Sequence, residues 1–244
     1  MNLKNFDDNY HLARISTTRQ RETMHKLDRK WIAKNLLTSK FSQKSSFLDI
    51  GCSDGNFLRP FHQKGFRICG IEPNKMQANK AAGAGIEIVT KPSEVSDLGA
   101  VVIRGTLHHL PDFEEVIHQV FESFNNSTSG DDKFIFVLAE PNADSRIFQR
   151  FGRLPALEEK LDFTSNYRVH SAERLKQYFE LYGAEVVLAY PYINTPYSNL
   201  PLDFLKHSSM MLLGHYIKVP WFRNMFNMAV RFESGHHLQF NRLA

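Results

Sequence analysis

The pattern of apolar and polar positions divides this 244-residue chain into three regimes. Residues 1–15 are polar with scattered aromatics. Thr17 or Thr18 can cap a helix running to about Leu37, with Met24, Leu27, Trp31 and Leu36 as a rough apolar stripe. A turn around Ser39–Ser46 follows. Short apolar runs then alternate with helical patterns. Phe47–Ile50, Arg67–Ile71, Ile86–Val89, Ala100–Ile103, Phe134–Ala139 and Glu185–Ala189 read as strands. Helices are expected over Asn56–Lys64, Asn74–Ala82, Phe113–Phe124 and Ser171–Tyr182, the last stopped by Gly183. Such alternation implies an α/β fold, with a mainly parallel sheet covered on both faces.

After Tyr190 the rhythm breaks. Residues 191–233 carry Pro191, Pro196, Pro201 and Pro220 and two apolar helical stretches near 202–214 and 221–231; His236–Asn241 reads as a last strand. The expected organisation is a single domain. It has an N-terminal helical cap (1–45), a ligand-binding core (46–190), a helical lid insertion (191–233) and a last strand (234–244). An insertion at a sheet end can serve as a lid or substrate wall.

The chemistry begins at Phe47-Leu-Asp-Ile-Gly-Cys-Ser-Asp-Gly-Asn-Phe57. An apolar strand ends at Ile50, and a turn holding Gly51 and Gly55 leads into a helix. Glycines there let the backbone approach a ligand at the carboxyl end of the first strand. Gly70-Ile-Glu72 ends the second strand with an acid that can accept both hydroxyls of a ribose. A dinucleotide site wants G-x-G-x-x-G so that a helix N-terminus meets a pyrophosphate. Here the spacing is G-x-x-x-G, and Asp49 and Asp54 flank it. Carboxylates repel a pyrophosphate but suit S-adenosylmethionine, which carries an ammonium and a sulfonium and no phosphate.

FLDIGCSDGNFL, GIEPNKM after the second strand and IRGTLHHLPD after the fourth, with the later AEPNA and NYRVHSAERLKQYFELYGAEVV, resemble the class I (Rossmann-like) S-adenosylmethionine-dependent methyltransferases of small-molecule type. The resemblance covers roughly residues 45–190. It implies a doubly wound seven-stranded sheet whose last strand runs antiparallel, and an enzyme that uses S-adenosyl-L-methionine. It further implies that Asp49 and Gly51 line the methionine end of the cofactor, with Cys52, Ser53, Asp54 and Gly55 forming the turn against it. Glu72 would hold the ribose, Pro73, Asn74 and Met76 would lie near the adenine, and Arg104, Thr106 and Leu107 would close the pocket floor. One departure is visible: Val89-Thr-Lys-Pro-Ser93 lacks the acid that many relatives carry just after the third strand. An N-terminal flap bearing Tyr10, His11 and Arg14 would be a common arrangement in the family.

A sulfonium is already electrophilic, so the protein mainly aligns the partners and excludes water. A hydroxyl acceptor gains from a general base, and histidine titrates in the right range. His108 and His109 follow the fourth strand, and His170 precedes a helix capped by Ser171; these are the catalytic candidates. No zinc spacing is present, and Cys52 and Cys69 form no CxxC pair.

Charge adds one constraint. Residues 1–45 hold ten Lys/Arg against four Asp/Glu, and residues 190–244 hold five against two, around an acidic centre. Basic ends can steer an anionic or phosphorylated partner, or can simply be solvated helix faces. The expected acceptor is a small molecule or glycan, methylated on a sugar hydroxyl. The alternatives are a lipid or quinone acceptor at a membrane surface, with peripheral membrane contact, or a cofactor-binding protein without turnover. Nucleic acid is disfavoured because no RNA-binding module or NPPY-like motif is found. The N-terminus lacks an apolar signal core, so a cytoplasmic setting is expected; oligomeric state is not indicated.

Overall fold

A computed structural model describes residues 18–110, 112–128, 130–145, 169–189, 225–235 and 238. Helix α1 spans Thr18–Leu37, β1 Ser46–Ile50, α2 Arg59–His62, β2 Ile68–Ile71, α3 Lys75–Gly83 and β3 Glu87–Ile88. Then come β4 Leu98–Arg104, α4 Phe113–Asn125, β5 Lys133–Pro141, α5 Ala172–Glu180, β6 Glu185–Ala189 and β7 Met225–Phe232. The strands form one seven-stranded sheet in the order β3-β2-β1-β4-β5-β7-β6. β1 to β5 pair in parallel, and β7 runs antiparallel to both β5 and β6. The order reverses between β1 and β4, where open α/β sheets place ligands at the strand carboxyl ends.

The two-residue strand period distributes the core between two faces. Leu48, Ile50, Val101, Ile103, Ile135, Val137, Met228 and Val230 pack with α4 and α5. Phe47, Ala100, Val102, Phe134, Phe136, Leu138 and Ala229 pack with α1, α2 and α3. Phenylalanine is unusually common, with twenty in the chain, and packs on both faces, the second included. There Phe41 and Phe61 meet Phe47 at 5.5 and 5.4 Å between ring centres, in the range of favourable ring pairs.

The structure corrects three readings. The last described strand is Met225–Phe232, so residues 225–231 of the stretch expected to be helical are strand, and the insertion before it ends by residue 224. β7 is covered on both faces, with Phe226, Met228, Val230 and Phe232 facing one core and Ala229 the other. A strand buried on both sides loses its polar alternation and reads like an apolar helix. Within the expected strand His236–Asn241, Leu238 is described; its backbone N–H and carbonyl pair with the Asn125 side chain at the end of α4, outside the sheet. The helix expected over Asn56–Lys64 shortens to α2. Asp54 accepts from the Asn56 backbone N–H and side chain at 3.2 and 2.6 Å, and this local turn competes with helix. The buried stripe of α1 is His25, Asp28, Ile32 and Leu36, one step from the expected one, and Leu27 is exposed. The lid stretch 202–214, the N-terminal residues Tyr10, His11 and Arg14, and His236 and His237 lie outside the described residues.

Candidate active site

The carboxyl ends of β1, β2, β4 and β5 share one edge of the sheet, and the loops that leave them touch one another. After Ile50 the chain turns through Gly51 at φ +80°, Ser53 at +50° and Gly55 at +73°. A side chain at Gly51 has no room: its Cβ would stand 2.3 Å from Thr106 Oγ1. A Cβ at Gly70 would reach within 2.5 Å of Cys52 Sγ. Cys52 therefore sends its thiol into the core, and only its backbone belongs to the turn. Burial, with Asp49 and Glu72 nearby, pushes that thiol far above its ordinary range.

Glu72 joins the first two loops. Its carboxylate accepts from Ser53 N at 2.8 Å and Asn74 N at 2.9 Å. Asn74 is buried and caps α3 by accepting from Gln77 N, while Met76 stands half exposed on the first turn. Asp49 is buried within β1. Burial pushes its carboxyl up to about 7, against the opposing pull of Arg104 and with a further push from Glu72. Beyond β3, Glu94 accepts from Thr90 N and Oγ1 at 2.8 and 2.7 Å, which closes the turn that follows the strand.

The loop after β4 is held from two sides. Arg104 Nε meets Asp28 of α1 at 2.9 Å, with the guanidinium 5.2 Å from the centre of the Phe57 ring. From β5, the buried Glu140 carboxylate accepts from Thr106 N at 2.7 Å, Leu107 N at 2.8 Å and His108 N at 3.3 Å. His108 Nδ1 lies 2.7 Å from the same carboxylate. A carboxylate offers only acceptors, so Nδ1 carries the hydrogen and Nε2 is the basic nitrogen. A register shift between Val137 and Glu140 and a left-handed Ala139 at φ +53° aim the Glu140 side chain at this loop.

The three histidine candidates gather at this edge. The His108 and His109 rings lie 4.0 Å apart, both buried. His170 returns beside the end of β5, bridging Asn142 and accepting from Ala143 N at 3.0 Å, and its ring lies 5.4 Å from Phe113 of α4. Pro73, Asp54 and Leu107 lie on the same loops, Leu107 fully buried. Asp28, Glu140 and Asn227 escaped the sequence reading. The signal for Asp28 was an acid in phase with the buried side of a basic helix.

A model of the methyltransferase domain matches residues 19–189. The chain belongs to the methyltransferase-domain family. It is a class I S-adenosylmethionine-dependent methyltransferase, and S-adenosylmethionine is its cofactor. No curated protein sequence matches it. Among solved structures, the plantazolicin methyltransferase BpumL in complex with S-adenosylhomocysteine aligns with TM-score 0.59 and 16% identity, over 93% of this chain and 92% of that one. A SAM-dependent methyltransferase from Archaeoglobus fulgidus aligns with TM-score 0.56 and 16% identity, over 93% and 100%. A Thermotoga maritima SAM-dependent methyltransferase, described as a possible histamine N-methyltransferase, gives 0.53 and 15%, over 92% and 99%. At such identities the likeness concerns the fold. This methyltransferase shares the seven-stranded mixed sheet, and the antiparallel β7 expected from the resemblance is present.

Proposed function

We propose that this methyltransferase methylates a hydroxyl of a small molecule or glycan, a sugar hydroxyl first among them. The observation that carries the reading is the His108–Glu140 pair at the carboxyl end of the sheet. A hydroxyl is a weak nucleophile and gains from losing its proton as the new bond forms, whereas an amine or thiolate acceptor has less need of a base. Glu140 fixes the His108 ring with Nε2, a buried atom, as the nitrogen that would take that proton from an acceptor seated against it, and His109 and His170 lie on neighbouring loops.

The residues fit the cofactor by charge and by shape. Asp49 and Glu72 form an acidic cradle suited to an ammonium and to ribose hydroxyls and hostile to a pyrophosphate. Two of the roughly four acceptor directions of Glu72 are taken by backbone N–H groups, leaving the others for hydroxyls. Gly51, Ser53 and Gly55 keep the turn bare of bulky side chains, and Asn74 and Met76 border the adenine end. Bound S-adenosylmethionine supplies a methyl group already activated by its sulfonium. The chain aligns the acceptor, excludes water and holds the proton.

Calorimetric titration with S-adenosylmethionine and S-adenosylhomocysteine, with NAD as control, tests the cradle. Glu72→Ala is expected to cost about 1.5–3 kcal/mol of binding, roughly a tenfold to hundredfold loss. Equal binding by that variant would remove Glu72 from the ribose. Transfer of a labelled methyl group to a panel of sugars and glycans tests the acceptor. Transfer confined to amines, or to lipid and quinone acceptors, would overturn the hydroxyl reading.

A further inference from the structure

Helix α1 does more than cover the sheet. His25, Asp28 and Arg29 share one helix face, and each reaches a wall of the cofactor site. His25 meets the Phe57 ring edge-on at 5.3 Å, and Arg29 Nη1 donates to the Phe57 carbonyl at 3.3 Å. Asp28 takes Arg104 Nε on one oxygen and accepts from Asn227 Nδ2 of β7 at 3.0 Å on the other. Arg104 in turn lies over the Phe57 ring. Phe57 closes the glycine turn, and Arg104 ends β4. The Asp28 side chain is 3% exposed, and a carboxylate so buried is costly unless paired.

Arg104 is bonded to one buried carboxylate, Asp28, and stands two residues beyond Val102, the β4 partner of Asp49, so it shares a sheet face with that second buried carboxylate on the neighbouring strand. A guanidinium shifted onto Asp49 would neutralise the carboxylate that a ligand ammonium needs. We propose that Asp28 is a positioning residue for cofactor binding. It holds Arg104 back from Asp49 and, with His25 and Arg29, fixes Phe57, so that α1 sets both the charge and the shape of the site. This rests on the cradle reading above.

The test is titration of the full chain with S-adenosylhomocysteine, which keeps the ammonium. Asp28→Asn retains a partner for Asn227 and should bind at least tenfold more weakly than wild type, with Lys30→Gln on the exposed face unchanged. The double variant Asp28→Asn/Arg104→Gln should bind more tightly than Asp28→Asn alone, because the competing guanidinium is gone. A purely structural role for Asp28 would make the double variant equal or worse, and that result would overturn the proposal, as would Asp28→Asn binding within threefold of wild type. Hydrogen exchange needs no variant: saturating ligand should slow amide exchange across residues 25–36 in the wild type, by the reciprocity of coupled equilibria. Unchanged exchange there would also overturn it. Wild-type chain that binds neither S-adenosylmethionine nor its product would instead defeat the cradle reading.

Discussion

At Gly51 a single added methyl group would land on Thr106, and the backbone is left-handed as well. Gly51→Ala combines a steric overlap with a conformation costing an L-residue about 1–2 kcal/mol. It is expected to lower thermal stability and to abolish measurable S-adenosylhomocysteine binding by calorimetry. Asp49 makes a second prediction, with a sign opposite to that of a salt-bridged carboxylate. Its folded-state value, about 7, lies above the unfolded value. The ligand-free protein therefore holds this contribution in full below about pH 4 and loses it as pH rises towards 7, by up to about 4 kcal/mol. Urea unfolding of wild type and Asp49→Asn at pH 5 and pH 8 checks this: the variant should be the more stable at pH 8, with the advantage shrinking at pH 5. The glycines and acids of the first two loops were legible because their chemistry is local. Glu140 and Asp28 were not, because their partners lie 32–34 and 76 positions away in sequence.

At the level of elements, the end of β4 depends on a bulge in its neighbour. The Ala139 N–H, displaced from the ladder, donates to Asn227 Oδ1 at 2.7 Å, and the same Asn227 reaches Asp28. The left-handed Ala139 is thus held by polar bonds from β7, a cost of the kind that collects at functional sites. Glu140→Ala would strand three loop N–H groups. It should destabilise the fold by about 3 kcal/mol or more, read as a lowered midpoint in thermal or urea unfolding. Six strands could be read because each carries a short apolar run bounded by turns. β7 could not, since Met225-Phe-Asn-Met-Ala-Val-Arg-Phe232 mixes good helix formers with apolar residues that face two cores.

For the molecule as a whole, ligand and fold are linked by mass action. At a hundredfold excess over its dissociation constant, S-adenosylhomocysteine should stabilise the protein by about 2.7 kcal/mol. For a chain of this size that raises the unfolding midpoint by roughly 5–10 °C in a thermal scan. NAD should leave it unmoved. The fold class was readable at this scale because strand–helix alternation leaves few topologies open. The acceptor was not, because the motifs that can be read in the chain belong to the cofactor loops.

The placing of β7 also governs the order in which the protein can assemble. Among the described residues it is the last strand in sequence, and it sits between β5 and β6, both made earlier. Until residues 225–232 arrive, β5 keeps an open edge and β6 has no partner to join. Phe134, Phe136 and the apolar side of β6 then wait beside unpaired backbone, the condition under which nascent sheets find the wrong neighbours. The final closure is a long-range event that adds β7 and β6, two of the seven strands, at once, so folding should be slow and sensitive to anything that delays that one strand.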